Sequence, residues 1–267
     1  MAVYQPKHKM KKILAFDVET SGRSLSRNEL VAIGACVLDK GTVIKEKRFT
    51  IFPLVKENEL NPDSDINIDD YVWEERCKTE FLEKGDTKVK IQNALNDKEN
   101  NVRGKRADVI PAFVEWLYEI EQEYQFDLQI VTDNPSFDET WVSYVMDLYG
   151  YPPLSCFKTK IDDPAHQYVY EGVVDLSTIV MTSNVYERGT MEEYWSASNL
   201  SWNKRKNPFK HDHDPLNDAR HIGFKASNFF NSVPEVGLKK RKLECIESSA
   251  LEEMQPEEKG NADTQKQ

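Results

Sequence analysis

The sequence predicts an α/β fold, a mixed β-sheet with helices on both faces. Near its start, KKILAFDVET and ELVAIGACVLDKGTVIKEKRFTIF give three consecutive strand patterns. Helical periodicity takes over in ADVIPAFVEWLYEIEQEY, after which strand and helix signals alternate. That order suits a sheet covered by helices.

In chain order, the first strand places Asp17 and Glu19 on one face, with Val18 turned into the packing, because side chains in a strand alternate. The next two strands join at a turn over Lys40 and Gly41 and complete an antiparallel three-strand unit. Between Pro53 and Arg106 the chain is polar and charged, an insertion with a helix expected near Trp73–Lys84 and a loose stretch near Lys98–Lys105. In the helix that follows, Trp116 and Leu117 are expected in the core. DLQIVTD is a further short strand, leading into DNPSFDETWVSYVMDLYG. Here Asn134 is expected to cap a helix with Pro135 at its first position, Asp138 in the first turn, and Phe137, Trp141, Val142, Val145 and Leu148 as the buried stripe. VVDLSTIVMTS reads as another strand or a short helix. Asp214 then caps a last helix opened by Pro215, with Asp218 in its first turn, His213 just outside, and Leu216, Ala219, Ile222, Ala226 and Phe229 facing inward. The domain is expected over residues 12–237, with the insertion at 53–106, a flexible N-terminus at 1–11 and a disordered charged tail at 238–267.

At 267 residues and 39% hydrophobic, the chain is long enough for one sizeable core and has no apolar run able to span a membrane. Its lysine-rich start leads into a strand and not an apolar signal-peptide region. Cys36, Cys77, Cys156 and Cys245 lack zinc-ligand spacing and look unpaired, so an intracellular, reducing, cytoplasmic setting is expected. The KKRK run at 239–242 is compatible with nuclear import or with simple solubility. A net charge of −11 argues against a protein that coats nucleic acid by general attraction. Lys204, Arg205, Lys206 and Lys210, interleaved with Trp202 and Phe209, form a local basic stretch that suits a nucleic-acid backbone and stacked bases, or only a solvated loop.

The chemistry lies in three separated segments. Asp17 and Glu19 in FDVETSG repel each other in a half-buried site unless a cation is present, and a hard divalent ion such as magnesium fits two oxygen donors. Such a pair can also just end a strand at a solvated edge. Asp138 can face a cleft or complement its helix dipole. His213, five residues before Asp218, is placed for general-base work near neutral pH or is a lone surface histidine. Together, four carboxylates and one imidazole are the parts needed to hold two metal ions and activate water against a phosphodiester.

FDVETSG, DNPSFD and HDPLNDA resemble the three motifs of the DEDDh 3′–5′ exonucleases, proofreading-type enzymes with a ribonuclease H-like fold. The resemblance spans roughly residues 12 to 231, and all five motif positions are filled. It implies catalytic Asp17, Glu19, Asp138, His213 and Asp218, with Asp17 bridging two Mg2+ ions, Glu19 and Asp218 completing one shell, Asp138 holding the other ion partly through water, and His213 as base. Mn2+ is expected to substitute. The ions would lie about 3.5–4 Å apart across the scissile phosphate. Nucleoside monophosphates would be released from 3′ ends of single-stranded RNA or DNA. Thr20, Asn134, Phe137, Lys204, Arg205 and Lys210 are expected to contact that strand, and the 53–106 insertion shapes its channel or decorates the fold. The second motif departs from the family pattern, with Thr132 and Asp133 where a small residue and a histidine are common. Asp133 there either assists metal binding or faces water, and His211 is a competitor of His213 without the family's spacing. Two other functions suit the same residues: a non-catalytic nucleic-acid- or protein-binding module, and a ribonuclease H-type endonuclease.

Overall fold

The computed structural model describes residues 12–83, 85–124, 128–154, 173–181 and 205–232. The expected flexible start, Trp202 and Lys204, Cys156 and Cys245, and the tail with its KKRK run lie outside these residues. The six strands are β1 (Lys12–Thr20), β2 (Leu30–Asp39), β3 (Thr42–Ile51), β4 (Asn101–Gly104), β5 (Leu128–Thr132) and β6 (Val174–Asp175). They form one mixed sheet in the order β4-β3-β2-β1-β5-β6. The first three pair antiparallel; β5 runs parallel to β1, β6 to β5 and β4 to β3. Lys40 and Gly41 both have positive φ, 53° and 87°, the backbone a two-residue hairpin loop requires.

Helices cover both faces. The main ones are α1 (Glu75–Cys77), α2 (Thr87–Asn96), α3 (Arg106–Tyr124), α4 (Asp138–Asp147), α5 (described over 176–181) and α6 (Pro215–Ser232). Leu14, Phe16 and Val18 of β1 pack with residues of α3 and α4, among them Phe113, Trp116, Trp141 and Val145. Ile13 and Ala15 face the other way, onto Leu176 and Val180 of α5 and Ala219 and Ile222 of α6. The period of two in β1 thus divides the core into two layers. β2 is buried over almost its whole length, so its sequence is apolar without alternation. The fold is the ribonuclease H-like α/β architecture the motifs imply. No described helix is long and apolar enough to cross a membrane.

The insertion differs in part from expectation. The helix expected near Trp73–Lys84 is present over Glu75–Leu82, as the turn α1 running directly into a π-helical turn over Lys78–Leu82, and it is followed by α2, which lies outside that expectation. The stretch expected to be loose contains β4, which returns to the sheet edge beside β3. Residues 53–100 build a small core around Ile66, Ile68, Tyr71, Ile91 and Leu95, which packs on Val31 and Ala32 of β2. Glu29, only 5% exposed, ties it to β2 by accepting the backbone N–H groups of Leu54 and Val72, both at 2.7 Å. Buried Arg103 of β4 donates to the carbonyls of Pro62 and Ser64.

Candidate metal centre and active site

β5 ends beside the middle of β1, its last pair being Val131 with Ala15, and the starts of α4 and α6 come together near this point. On β1, Asp17 lies opposite Gly34 of β2 and Glu19 opposite Ala32. Gly34 leaves room for the first turn of α6: a Cβ built on it would stand 2.1 Å from the carbonyl carbon of Pro215 and 2.2 Å from the nitrogen of Leu216. Glycine in a strand interior marks such a close backbone approach. α6 starts as expected, with Asp214 Oδ1 accepting the Leu216 N–H at 3.0 Å. The buried Arg48 guanidinium donates to both Asp214 oxygens at 2.6 Å and to Asp97 at 3.1 Å, locking this cap to β3.

Asp218, one turn into α6, folds the preceding loop back on itself. Its Oδ1 accepts the Asp212 N–H at 2.8 Å and its Oδ2 the His213 N–H at 2.9 Å. His213 has a left-handed φ of 64°, and its Nδ1 lies 3.8 Å from Glu19 Oε1. His211 is part of the same group, its Nε2 3.7 Å from Asp218 Oδ2 and its ring 5.4 Å from that of His213. From the opposite side of the sheet, Asp138 reaches the site as the first residue of α4, where the Thr132 hydroxyl donates to its Oδ2. Asp138 is 3% exposed and Asp218 1%.

Burial is the main force on the protons here. It raises Asp17 and Glu19 well above the carboxylate range, and the neighbouring carboxylates add to this: Asp138, Asp218, Asp133 and Glu19 on Asp17; Asp218, Asp138 and Asp214 on Glu19. Asp138 rises to about 8, through burial first, against the opposing Thr132 bond. Asp218 rises to about 7, again through burial, against its two backbone N–H donors. Burial also lowers His213, with His211 and Lys90 of α2 adding positive charge nearby, which favours a neutral imidazole able to accept a proton.

Two ligand sets follow. Glu19, His213 and Asp218 each offer an atom within 4.8 Å of the others, as do Asp17, Asp133 and Asp138. Buried, mutually repelling oxygen donors are the set that a hard divalent cation stabilises.

All five residues assigned by the motifs converge. The substrate candidates divide. Thr20 is buried and its hydroxyl donates to the Gly22 carbonyl at 2.8 Å. Asn134 does not cap α4 through its side chain, which accepts the Ser136 hydroxyl instead; residues 134–137 form a turn and the helix begins at Asp138. Phe137 packs edge-on against Trp141 at 6.4 Å, whereas Leu148 is exposed and outside the stripe. Arg205 and Lys210 are exposed on the segment leading to His211. Phe209 packs on Phe224 in the α6 layer, which removes it as a base-stacking surface. Motif reasoning missed Gly34, although a lone glycine inside the apolar run LVAIGACVLD signals it.

No protein-family model matches the chain, and no curated protein matches it. Solved structures do match. Cell-death related nuclease 4 (CRN-4) is 14% identical, with a TM-score of 0.50, over 84% of this chain and 65% of that one. An Escherichia coli exonuclease I structure with a dT13 oligonucleotide is 12% identical, with a TM-score of 0.47, over 89% of this chain and 43% of that one. The chain therefore spans less than two thirds of the length of either protein. The likeness to CRN-4 is a likeness of fold.

Proposed function

We propose that the chain is a metal-dependent 3′–5′ exonuclease acting on single-stranded nucleic acid. The observation that carries this is the convergence of Asp17, Glu19, Asp138, His213 and Asp218, from three distant segments, into two adjoining ligand sets beside the central strand β1. A nuclease-like fold supports the reading. Asp17 is central to the site, with Glu19 and Asp218 on one side and Asp138 on the other, a set suited to two divalent ions, magnesium or manganese. Such ions supply Lewis-acid activation and charge neutralisation at a phosphodiester.

The protein's own part is positioning and proton transfer. His213 takes the proton of the attacking water as its oxygen bonds to phosphorus and the bond to the 3′ oxygen breaks; that oxygen takes a proton from solvent, which releases a nucleoside monophosphate and a shortened strand ending in a 3′-hydroxyl. Burial keeps the imidazole neutral before that step. The Thr132 hydrogen bond and the two backbone donors fix Asp138 and Asp218 in place, so the carboxylates do not need to reorganise during reaction.

A time course on 5′-labelled single-stranded RNA and DNA of one sequence, with magnesium, manganese or chelator, tests this. The expected result is a metal-dependent ladder shortening from the 3′ end, absent in Asp17→Asn. Wild-type protein that leaves both strands intact would point to a binding module, and cleavage of a circular single strand to an endonuclease.

A further inference from the structure

We infer that Asp133 is a fifth acidic ligand of this centre, serving the same ion as Asp17 and Asp138, so that the second motif supplies two carboxylates and not one. The inference rests on the metal-dependent function proposed above. It begins with strand register. β1 and β5 run parallel with Ala15 beside Val131. Two residues further along each chain, Asp133 comes level with Asp17, and the period of two turns it to the same face of the sheet.

The side chains agree with the register. Carboxylate oxygens of Asp17, Asp133 and Asp138 all lie within 4.8 Å of one another. The main chain at this point is anchored, because the Asp133 carbonyl accepts the hydroxyl of Ser177 from α5. Asp133 is therefore held at the ligand set by its backbone on both the β5 and α5 sides.

Burial raises the Asp133 carboxyl above its ordinary value; of the other charged groups near it, His211 and Lys225 favour its ionised form and Asp175 opposes it. Lys225 stands two turns beyond Asp218 on α6 and is 7% exposed. A purely structural account would make Asp133 the partner of this buried lysine and nothing more. Three carboxylates converge on the position, however, and one lysine does not neutralise three charges. A divalent ion among Asp17, Asp133 and Asp138 does so with Lys225 in place. The consequence is an ion on the Asp138 side held by direct carboxylate bonds, where the family resemblance implies a looser, partly water-mediated hold.

The test is Mn2+ binding to the full chain after chelator treatment, followed by isothermal titration calorimetry and by the electron paramagnetic resonance signal of free Mn2+. Wild type is expected to bind two ions. Asp133→Asn should weaken one of them about tenfold or more, as losses around metal sites do, and leave the other unchanged. Glu19→Gln should weaken the opposite ion. Asp133→Ser repeats the test should the asparagine variant fail to fold. Asp133 variants that bind both ions like wild type overturn the inference and leave Asp133 as the partner of Lys225. A wild type that binds no Mn2+ overturns the metal-dependent function itself, and so separates the two failures.

Discussion

His213 combines an unusual backbone with an ambiguous side chain. Its φ of 64° is a conformation that costs an ordinary residue about 1–2 kcal/mol, and its N–H is held there by Asp218. The Nδ1 atom, 3.8 Å from Glu19, sits where an imidazole can serve as a base or as a ligand. Asparagine tolerates left-handed backbone far better than alanine does, so His213→Asn removes the imidazole at little cost in folding. For a general base the expected outcome is a single-turnover rate lower by about 10²–10⁴-fold, with Mn2+ affinity and melting temperature near those of wild type. Equal loss of Mn2+ affinity would instead make His213 a ligand. His213→Ala should show the same chemical loss and, in addition, a destabilisation of about 1 kcal/mol in urea unfolding. Asp218 variants are less informative, since that one carboxylate is both a proposed ligand and the anchor of the His213 loop.

The elements explain why these residues meet. α6 approaches the sheet through two glycines, Gly34 beneath its first turn and Gly223 beside Leu38. A methyl group at Gly34 meets helix backbone at 2.1 Å, which cannot rotate away, whereas at Gly223 the nearest atom, 2.2 Å away, is the end of the Leu38 side chain. Gly34→Ala should therefore lift the start of α6, cost about 1–3 kcal/mol and weaken Mn2+ binding by drawing Asp218 away from Glu19. Gly223→Ala should lower stability in urea with Mn2+ binding intact; equal binding losses in the two variants would show that Gly34 has no special part in setting the site. Local signals made much of this visible in the sequence. The alternation of β1 put Asp17 and Glu19 on one face, the Lys40–Gly41 turn announced the hairpin, and Asp214-Pro215 announced α6. What escaped depends on distant partners. β4 is a four-residue edge strand without apolar alternation, recognisable only through β3 and the carbonyls that Arg103 meets in the insertion. Phe209 reads as a surface aromatic until Phe224 is brought beneath it, and for Asp133 the choice between metal and water stays open in the sequence until β5 is set beside β1.

Across the molecule, a net charge of −11 and a cluster of buried acids make the metal-free fold sensitive to pH in a way metal should reverse. In the folded chain Asp138 holds its proton to about 8 and Asp218 to about 7, each through burial first, and Asp17 and Glu19 are raised in the same direction. Unfolded, all four release their protons near pH 4. Between those limits the folded state carries protons that the unfolded state has lost, so these groups stabilise most below pH 4 and lose that stabilisation as pH rises toward 8. The histidines act in the opposite sense. His211, His213 and His221 are all lowered, His221 to about 4 by burial first, so stability is lost as pH falls below 6.5. Lys225, lowered to about 8 by burial, gives up its proton earlier in the folded chain than in the unfolded one, so its contribution to stability grows with pH from about 8 upward. The interval from about 6.5 to 8 is therefore governed by the carboxylates. Chelator-treated protein should show a melting temperature that falls across it. Magnesium replaces the protons and binds more tightly as they leave, so its stabilisation, which grows with ligand over Kd, should increase with pH and flatten or reverse the fall. Thermal melts at matched ionic strength, with saturating magnesium or with chelator, give the comparison; parallel curves would mean that the buried carboxylates and the metal do not share one site.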